Sequence, residues 1–220
     1  MNTGLIMNYC SLLSSLLIVV FMVKSLIGFF TVGGRGNMKV RKTDAFKYFT
    51  VDSNMLMATA AAITLVYNIR KAIDPSVGIP YWATLLYHVG TVAVMVTFSV
   101  VMFIFVPSTG LKFMIEGNSL YLHLISPLLA LVSFVCFDRG EKLGPEVIII
   151  AAVPVLIYSV LYYYMVMVRG ESGGGWKDFY HFNDKGRWYV SAVSILIMAL
   201  ALAAVLLIGH NLIAAEVLSA

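Results

Sequence analysis

Charged residues are scarce in this sequence, and the motifs of common soluble enzymes are missing. Only 12% of the 220 residues are Asp, Glu, Lys or Arg, and 60% are hydrophobic, whereas soluble domains carry about 25% charged residues. No Cys or His spacing typical of a zinc site, no Gly-rich phosphate loop and no Gly-x-Ser-x-Gly element is present. An ordinary soluble domain is excluded, and we expect no metal and no cofactor.

Six long apolar segments are present instead. A transmembrane helix needs about 20 mostly apolar residues. The candidates cover residues 5–30, 48–68, 81–106, 119–137, 145–167 and 188–209. The connecting loops are short, and no second domain is apparent. We predict an all-α polytopic membrane protein, with residues 1–220 forming a single domain built as a bundle of six transmembrane helices.

Basic residues are distributed unevenly over the loops. Ten of the 15 Lys and Arg residues lie in the loops after spans one, three and five or at their rims, and four lie on the opposite side. Cytoplasmic loops carry such an excess, so we expect a multi-pass protein of the cell membrane with both termini extracytoplasmic. The net charge of +4 fits this topology and anionic lipid headgroups. We expect no nucleic-acid partner, and the oligomeric state is left open.

Polar side chains cluster where the second span begins. Thr50, Ser53 and Asn54 are spaced i, i+3 and i+4, so they share one helix face. Asp52 points elsewhere, toward Lys47 or Arg187 at the rim. Polar groups are expensive in hydrocarbon, which favours a functional cluster. The alternative is that Thr50, Asp52 or Ser53 only caps the helix, because short oxygen-bearing side chains satisfy free backbone donors at a helix start.

The fourth span contains a second set of polar residues near the same membrane depth. His123 and Ser126 interrupt an otherwise apolar helix. Pro127 lacks an N–H group and cannot bond the carbonyl of His123, so a kink and a free carbonyl are expected beside the imidazole. The functional interpretation is a general base near neutral pH. The alternative is a histidine satisfied by a neighbouring hydroxyl within the bundle.

Other polar residues receive weaker roles. His181 and Asn183 precede the last span, and His181 is expected to be an interfacial or lid residue rather than a base. His88 is expected to pack or to hydrogen-bond between helices, and His210 and Glu216 to be solvated. An interfacial aromatic belt is expected from Tyr162, Tyr163 and Tyr164 with Trp176 and Trp188. Cys10 and Cys136 are expected to be buried free thiols.

Three stretches carry a resemblance to a known family. They are the run from Tyr48 to Asn54, the block Asn118 to Pro127, and Tyr180 to Asn183. Together they resemble the androgen-induced, FAR-like family of multi-span membrane proteins, in particular its uncharacterised bacterial branch. Characterised animal relatives hydrolyse fatty acid esters of hydroxy fatty acids with an intramembrane threonine and histidine. By position, these match Thr50 and His123.

The resemblance implies an intramembrane hydrolase of lipid esters, with a membrane lipid or fatty acid ester as its partner. His123 would take the proton of Thr50, and the hydroxyl would attack the ester carbonyl. Ser53 or Asn54 could donate to the oxyanion, and Asp52, Ser126, His181 and Asn183 are the further candidates for substrate contact. The residues leave two alternatives open, a non-enzymatic lipid-binding or scaffold protein and a small transporter.

Overall fold

The described part of the chain forms a bundle of six long helices. The computed structural model describes residues 3–31, 42–138 and 140–218, and the described part contains no strand. All six helices are long and apolar enough to cross a membrane, which confirms the predicted all-α multi-pass architecture. They are α1 (Thr3–Thr31), α2 (Phe49–Ile73), α3 (Tyr81–Thr109), α4 (Leu120–Phe137), α5 (Val147–Arg169) and α6 (Trp188–Leu218).

The helices begin within two residues of the predicted spans, but α2 and α6 end later than predicted, and α6 continues from the predicted end at residue 209 to Leu218. The second span was predicted to end at residue 68, but α2 continues to Ile73 and includes Arg70 and Lys71 in its last turn. Cations near a helix C-terminus interact favourably with the helix dipole. Long basic side chains can also reach water from the rim of a membrane. The charges therefore end the apolar stretch without ending the helix.

α3 lies at the centre of the bundle. It packs against α2, α4, α5 and α6, and the stretch from Tyr87 to Thr97 is buried at every position. Gly90 permits a close approach, since a Cβ atom built there would lie 3.0 Å from the Cα atom of Met57 on α2. Small residues allow membrane helices to pack backbone to backbone in this way. A helix that is apolar on all sides is typical of such a central position.

The helices alternate in direction, so the bundle has two distinct ends. The Thr50 end contains the starts of α2, α4 and α6, and the Asp138 end contains the starts of α1, α3 and α5. At the Asp138 end the predicted solvation of His210 is wrong. His210 is only 1% exposed, and its two ring nitrogens lie 3.2 Å from the carbonyl oxygen of Phe134 and 3.3 Å from that of Glu141. The side chain of Glu216 lies outside the described residues.

Two further expectations concern aromatic residues and thiols. Tyr162 is not part of an interfacial belt, because it is 1% exposed and packs against Tyr180 and Phe182. Both cysteines are free thiols, as expected, although Cys10 and Cys136 are half-buried rather than buried. The sequence pattern identified Tyr162 as aromatic at a helix end, but only the tertiary fold shows that a loop covers it.

The start of α4 departs from α-helical geometry in a way that explains its contacts. Residues Leu120–Ile125 form a π-helical turn, in which the N–H of Ser126 bonds the carbonyl of Tyr121. The π register would pair the Leu122 carbonyl with residue 127, but Pro127 has no N–H group to donate. The carbonyl of Leu122 therefore needs a donor from outside α4, in addition to the free carbonyl predicted at His123.

Candidate active site

Thr50 lies in the first turn of α2, and its hydroxyl does not cap the helix. The N-cap residue is Tyr48, and no side chain at that position makes a capping hydrogen bond. The alternative in which Thr50, Asp52 or Ser53 serves only as a helix cap is therefore wrong. Thr50 is 6% exposed, and its hydroxyl is directed away from the backbone of its own helix, toward α4.

The Thr50 hydroxyl meets the imidazole of His123. The Oγ1 atom of Thr50 lies 3.3 Å from the Nε2 atom of His123. Nucleophile and base come within hydrogen-bond reach in this way, and such contacts are often somewhat long without substrate. The contact also fits the alternative of a histidine satisfied by a hydroxyl. The surroundings of Thr50 and His123 distinguish a catalytic pair from a histidine that is only satisfied by a hydroxyl.

The imidazole is held by an aromatic ring rather than by a carboxylate. The ring of Phe113 stacks on that of His123 with centroids 5.8 Å apart and an interplanar angle of 9°. The Nδ1 atom of His123 is buried without a hydrogen-bond partner among the described residues. A base that accepts a proton at Nε2 must carry its own proton at Nδ1. The site thus resembles a two-residue version of a catalytic triad.

Asn54 connects the two helices that carry this pair. Its Nδ2 atom donates to the carbonyl of Thr50 at 2.7 Å and to the carbonyl of Leu122 at 3.0 Å. The second bond supplies the donor that Pro127 withholds from Leu122. Because an amide nitrogen has two hydrogens, both are occupied. Asn54 therefore aligns α2 with α4, and these bonds weigh against the predicted oxyanion role, which no observation tests.

Ser53 also makes its contacts within the bundle. Its hydroxyl donates to the carbonyl of Thr50 at 3.2 Å and lies 3.0 Å from the hydroxyl of Thr97 on α3. Ser53 is 1% exposed. Together with Asn54 it fixes the first turn of α2 from two sides, so that the backbone under Thr50 is held by α3 and α4.

A large cavity opens beside Thr50 and His123. It has a volume of about 820 Å³ and is bounded by α3, α5, α6 and the loop before α6. Most of its lining is apolar or aromatic, and the described lining contains no Lys or Arg. Asp184 is the only carboxylate among the lining residues that the structure describes. Ligand sites in proteins are typically cavities of about 300–1,000 Å³ with few polar groups. This cavity therefore fits a bulky, uncharged and mostly apolar group.

The cavity has a side that faces the membrane. Ile104 near the end of α3 and Val190 near the start of α6 both line it, and they are 56% and 48% exposed. Exposed apolar residues on spanning helices face lipid rather than water in a bilayer. An apolar molecule could therefore reach Thr50 directly from the bilayer.

The loop before α6 forms the wall of the cavity at the Thr50 end of the bundle. The carboxylate of Asp178 accepts hydrogen bonds from the hydroxyl of Tyr162 at 3.0 Å and from the N–H groups of Phe182 and Asn183 at 2.8 and 2.9 Å. The hydroxyl of Tyr162 in turn accepts the N–H of Tyr180 at 3.1 Å. The loop is thereby tied to α5, although it contains only short helical turns at Glu171–Gly173 and Asp184–Gly186.

The remaining predicted site residues are placed differently. His181 lines the cavity and is exposed, in a left-handed backbone conformation with φ of 53°. Asn183, Ser126 and Asp52 are not among the lining residues. Ser126 is 1% exposed, and its hydroxyl has no partner among the described residues. The structure brings Thr50, His123 and His181 to one cavity, and it leaves the roles predicted for the other three untested.

The expected ion pair of Asp52 is wrong. Lys47 pairs with Asp44 at 2.7 Å, and neither Lys47 nor Arg187 pairs with Asp52. Asp52 is half-buried on the side of α2 that faces away from the cavity. Lys47 and Asp44 are only three residues apart in a short helical turn, Lys42–Lys47, which brings them together locally.

Sequence reasoning missed three residues of the site, namely Tyr158, Asp178 and Tyr180. Tyr158 donates to the carbonyl of Lys47 at 2.6 Å, and the N–H of Phe49 donates to the hydroxyl of Tyr180 at 3.1 Å. Tyrosines at a membrane interface are common, so composition gave no reason to single them out. The one available signal was the aromatic run before the last span.

Comparison of the chain with family models, with curated proteins and with solved structures found no match. The described residues also contain no group of three or more His, Cys, Asp or Glu side chains that could hold a metal ion.

Proposed function

We propose that this protein is an intramembrane hydrolase of lipid esters, with Thr50 as nucleophile and His123 as general base. The observation that carries the proposal is the position of the Thr50 and His123 contact at the wall of the cavity. A histidine that only satisfied a packed hydroxyl would need no cavity beside it. The proposal agrees with the family resemblance of the sequence, but rests on the geometry.

The reaction follows from the order of the groups. His123 accepts the Thr50 proton at Nε2 while Oγ1 bonds to the ester carbonyl carbon, whose oxygen becomes negatively charged. The intermediate collapses when the bond to the alcohol oxygen breaks, and His123 returns the proton to that oxygen. Water then attacks the acyl-threonine by the same route and releases a carboxylic acid.

The cavity supports an acyl ester as the substrate class. A mostly apolar and aromatic lining in which the described residues include no Lys or Arg suits a hydrocarbon chain, and the exposed side near Ile104 and Val190 allows entry from the bilayer. A lipid-binding protein would use the same cavity but would not depend on the Thr50 hydroxyl. The test must therefore depend on covalent chemistry at Thr50.

The first experiment is labelling with a fluorophosphonate probe in detergent. The wild-type protein is compared with Thr50→Ala, Thr50→Ser, His123→Ala and Thr59→Ala, and the adduct is located by mass spectrometry. We expect an adduct on Thr50, labelling lost in Thr50→Ala and His123→Ala by at least about 10³-fold, and labelling kept in Thr50→Ser. Thr59→Ala is the matched control, since the exposed Thr59 hydroxyl lies on the same helix, bonds the carbonyl of Met55 and does not line the cavity.

The result is interpreted only for folded protein, as judged by size-exclusion chromatography and circular dichroism. Folded wild-type protein that forms no adduct, or an adduct that persists in Thr50→Ala, would refute the assignment of Thr50. A positive result would be followed by hydrolysis of p-nitrophenyl esters of increasing chain length. Activity should rise with chain length, because a longer chain fills more of the apolar cavity.

A further inference from the structure

The loop before α6 brings one hydroxyl group to the start of α2. The hydroxyl oxygen of Tyr180 accepts the N–H of Phe49, the residue before Thr50, at 3.1 Å. The first N–H groups of a helix lack partners within the helix, and no side chain caps α2 locally. Tyr180 fills this role from 131 residues away, and its ring also lines the cavity with Thr50 and His123.

Among the described residues the Tyr180 O–H group has hydroxyl neighbours but no backbone carbonyl as acceptor, so its proton can turn toward a ligand in the site. Its oxygen already accepts a hydrogen bond, which strengthens the remaining O–H as a donor. The neighbouring hydroxyls are those of Tyr158 and Thr50. The hydroxyl of Tyr158 donates to the carbonyl of Lys47, and the hydroxyl of Thr50 faces the imidazole of His123. Of the two tyrosine hydroxyls near the nucleophile, the hydroxyl of Tyr180 is therefore the one whose proton has no fixed acceptor on the protein backbone.

Tyr180 stays protonated over the whole range in which an enzyme works. Burial raises the pKa of Tyr180 to about 12, although hydrogen bonds with Tyr158 and Thr50 act in the opposite direction. The hydroxyl is thus a neutral donor at pH 7. An anion that forms beside it would gain a hydrogen bond without any change in the protonation of Tyr180.

The position of this hydroxyl is fixed before substrate arrives. The N–H of Tyr180 is bound by Tyr162, and Tyr162 is bound by Asp178. The ring of Tyr180 lies 5.3 Å from that of Tyr162 and 4.7 Å from that of Phe179. Donors held in place by their surroundings are the ones that stabilise a transition state, since no reorganisation is needed during the reaction.

We infer that Tyr180 is a third catalytic residue, which donates a hydrogen bond to the oxyanion formed when Thr50 attacks an ester carbonyl. The role rests on the proposed function. As the Oγ1–C bond forms, the carbonyl electron pair moves to its oxygen, and the Tyr180 O–H donates to that oxygen while His123 holds the Thr50 proton. When the intermediate collapses, the carbonyl re-forms and Tyr180 keeps its proton.

The test uses the full-length protein in detergent with two matched substrates, a p-nitrophenyl ester and the corresponding thionoester. Sulfur accepts a weaker hydrogen bond than oxygen, so the thionoester gains less from a donor. Tyr180→Phe removes only the hydroxyl. On the oxygen ester we expect kcat to fall about 10²–10³-fold with KM changed less than about threefold, and on the thionoester we expect a fall of less than about tenfold.

The controls separate catalysis from folding and from the parent proposal. Tyr164→Phe is the matched control, because Tyr164 lies on α5, is 49% exposed and does not line the cavity. An equal fall on both substrates in Tyr180→Phe would mean a displaced Thr50 and would overturn the inference. Unchanged kinetics of Tyr180→Phe, together with an inactive Thr50→Ala, would also overturn the inference. That outcome would leave the proposed hydrolase function intact. A folded wild-type protein inactive on both esters would overturn both proposals.

Discussion

Both ends of the bundle bury histidines, yet their surroundings differ. At the Thr50 end, His123 stacks on Phe113 and lines the cavity. At the Asp138 end, His210 stacks on Phe134 with centroids 4.5 Å apart and an angle of 11°, and neither His210 nor His88 lines that cavity. The two stacks are alike as local geometry. Only the neighbouring space indicates which histidine can meet a substrate.

At the Asp138 end, the buried polar side chains hold neighbouring segments together. Asn211 on α6 forms two hydrogen bonds with the backbone of Leu143, accepting its N–H at 3.1 Å and donating to its carbonyl at 2.8 Å. Together with the contacts of His210, they tie α6 to the segment between α4 and α5. Polar groups in a membrane bundle can therefore serve packing alone, even when they are ionisable and fully buried.

The largest expected effect comes from breaking the two aromatic stacks separately. Phe134 is fully buried, and Phe134→Ala should lower the free energy of unfolding by about 3–5 kcal/mol because it leaves a cavity. Phe113 is half-buried at the cavity wall. Phe113→Ala should cost less than Phe134→Ala, because the Phe113 side chain is only half-buried, but it should slow labelling of Thr50 by tenfold or more. Unfolding is measured by SDS titration in mixed micelles.

The control for these variants is Phe103→Ala, because Phe103 is 73% exposed on the membrane-facing surface of α3. It should change neither stability nor labelling. If Phe134→Ala slowed labelling of the folded protein as much as Phe113→Ala does, the functional difference between the two ends would be disproved.

A smaller effect is expected from the two buried asparagines of α2. Asn54→Leu leaves the carbonyl of Leu122 without a donor, which costs about 1–3 kcal/mol, and it should also slow labelling because Thr50 and His123 lose their alignment. Asn68 lies near the Asp138 end, where it donates to the hydroxyl of Ser11 at 2.9 Å. Asn68→Leu should reduce stability by a similar amount and leave the labelling rate of folded protein unchanged. Equal labelling rates in the two variants would argue against the alignment role.

The smallest effect concerns an exposed carboxylate after α2. Hydrogen bonds from the hydroxyl and then the N–H of Ser76 hold the pKa of Asp74 below its ordinary value. A lowered pKa stabilises the fold above the unfolded-state pKa, about 3.9, and this contribution is lost as the pH falls through the folded-state pKa. Ser76→Ala should raise the pKa of Asp74, as measured by carbon-13 NMR titration, without affecting labelling. An unchanged pKa would show that the N–H bond alone is sufficient.

The sequence predicted some features well because they depend on local pattern. Helix positions followed from apolar length, and the shared face of Thr50, Ser53 and Asn54 followed from helical spacing. The sequence predicted a free carbonyl at His123 but did not predict that the Leu122 carbonyl also needs a donor from outside α4, because a π-helical turn shifts the hydrogen-bond register. The burial of Tyr162 and His210 was missed, since it depends on segments that are distant in sequence and fold over them.

The sequence by itself determined that this chain spans a membrane six times, because hydrocarbon requires long apolar helices with satisfied backbone groups. It also determined which helix ends carry polar side chains. The tertiary structure decided which of these side chains meet, because helix order around a bundle is not encoded in any local period. The contact between Thr50 and His123, the cavity beside it and the hydroxyl of Tyr180 above α2 all arise from packing between distant segments.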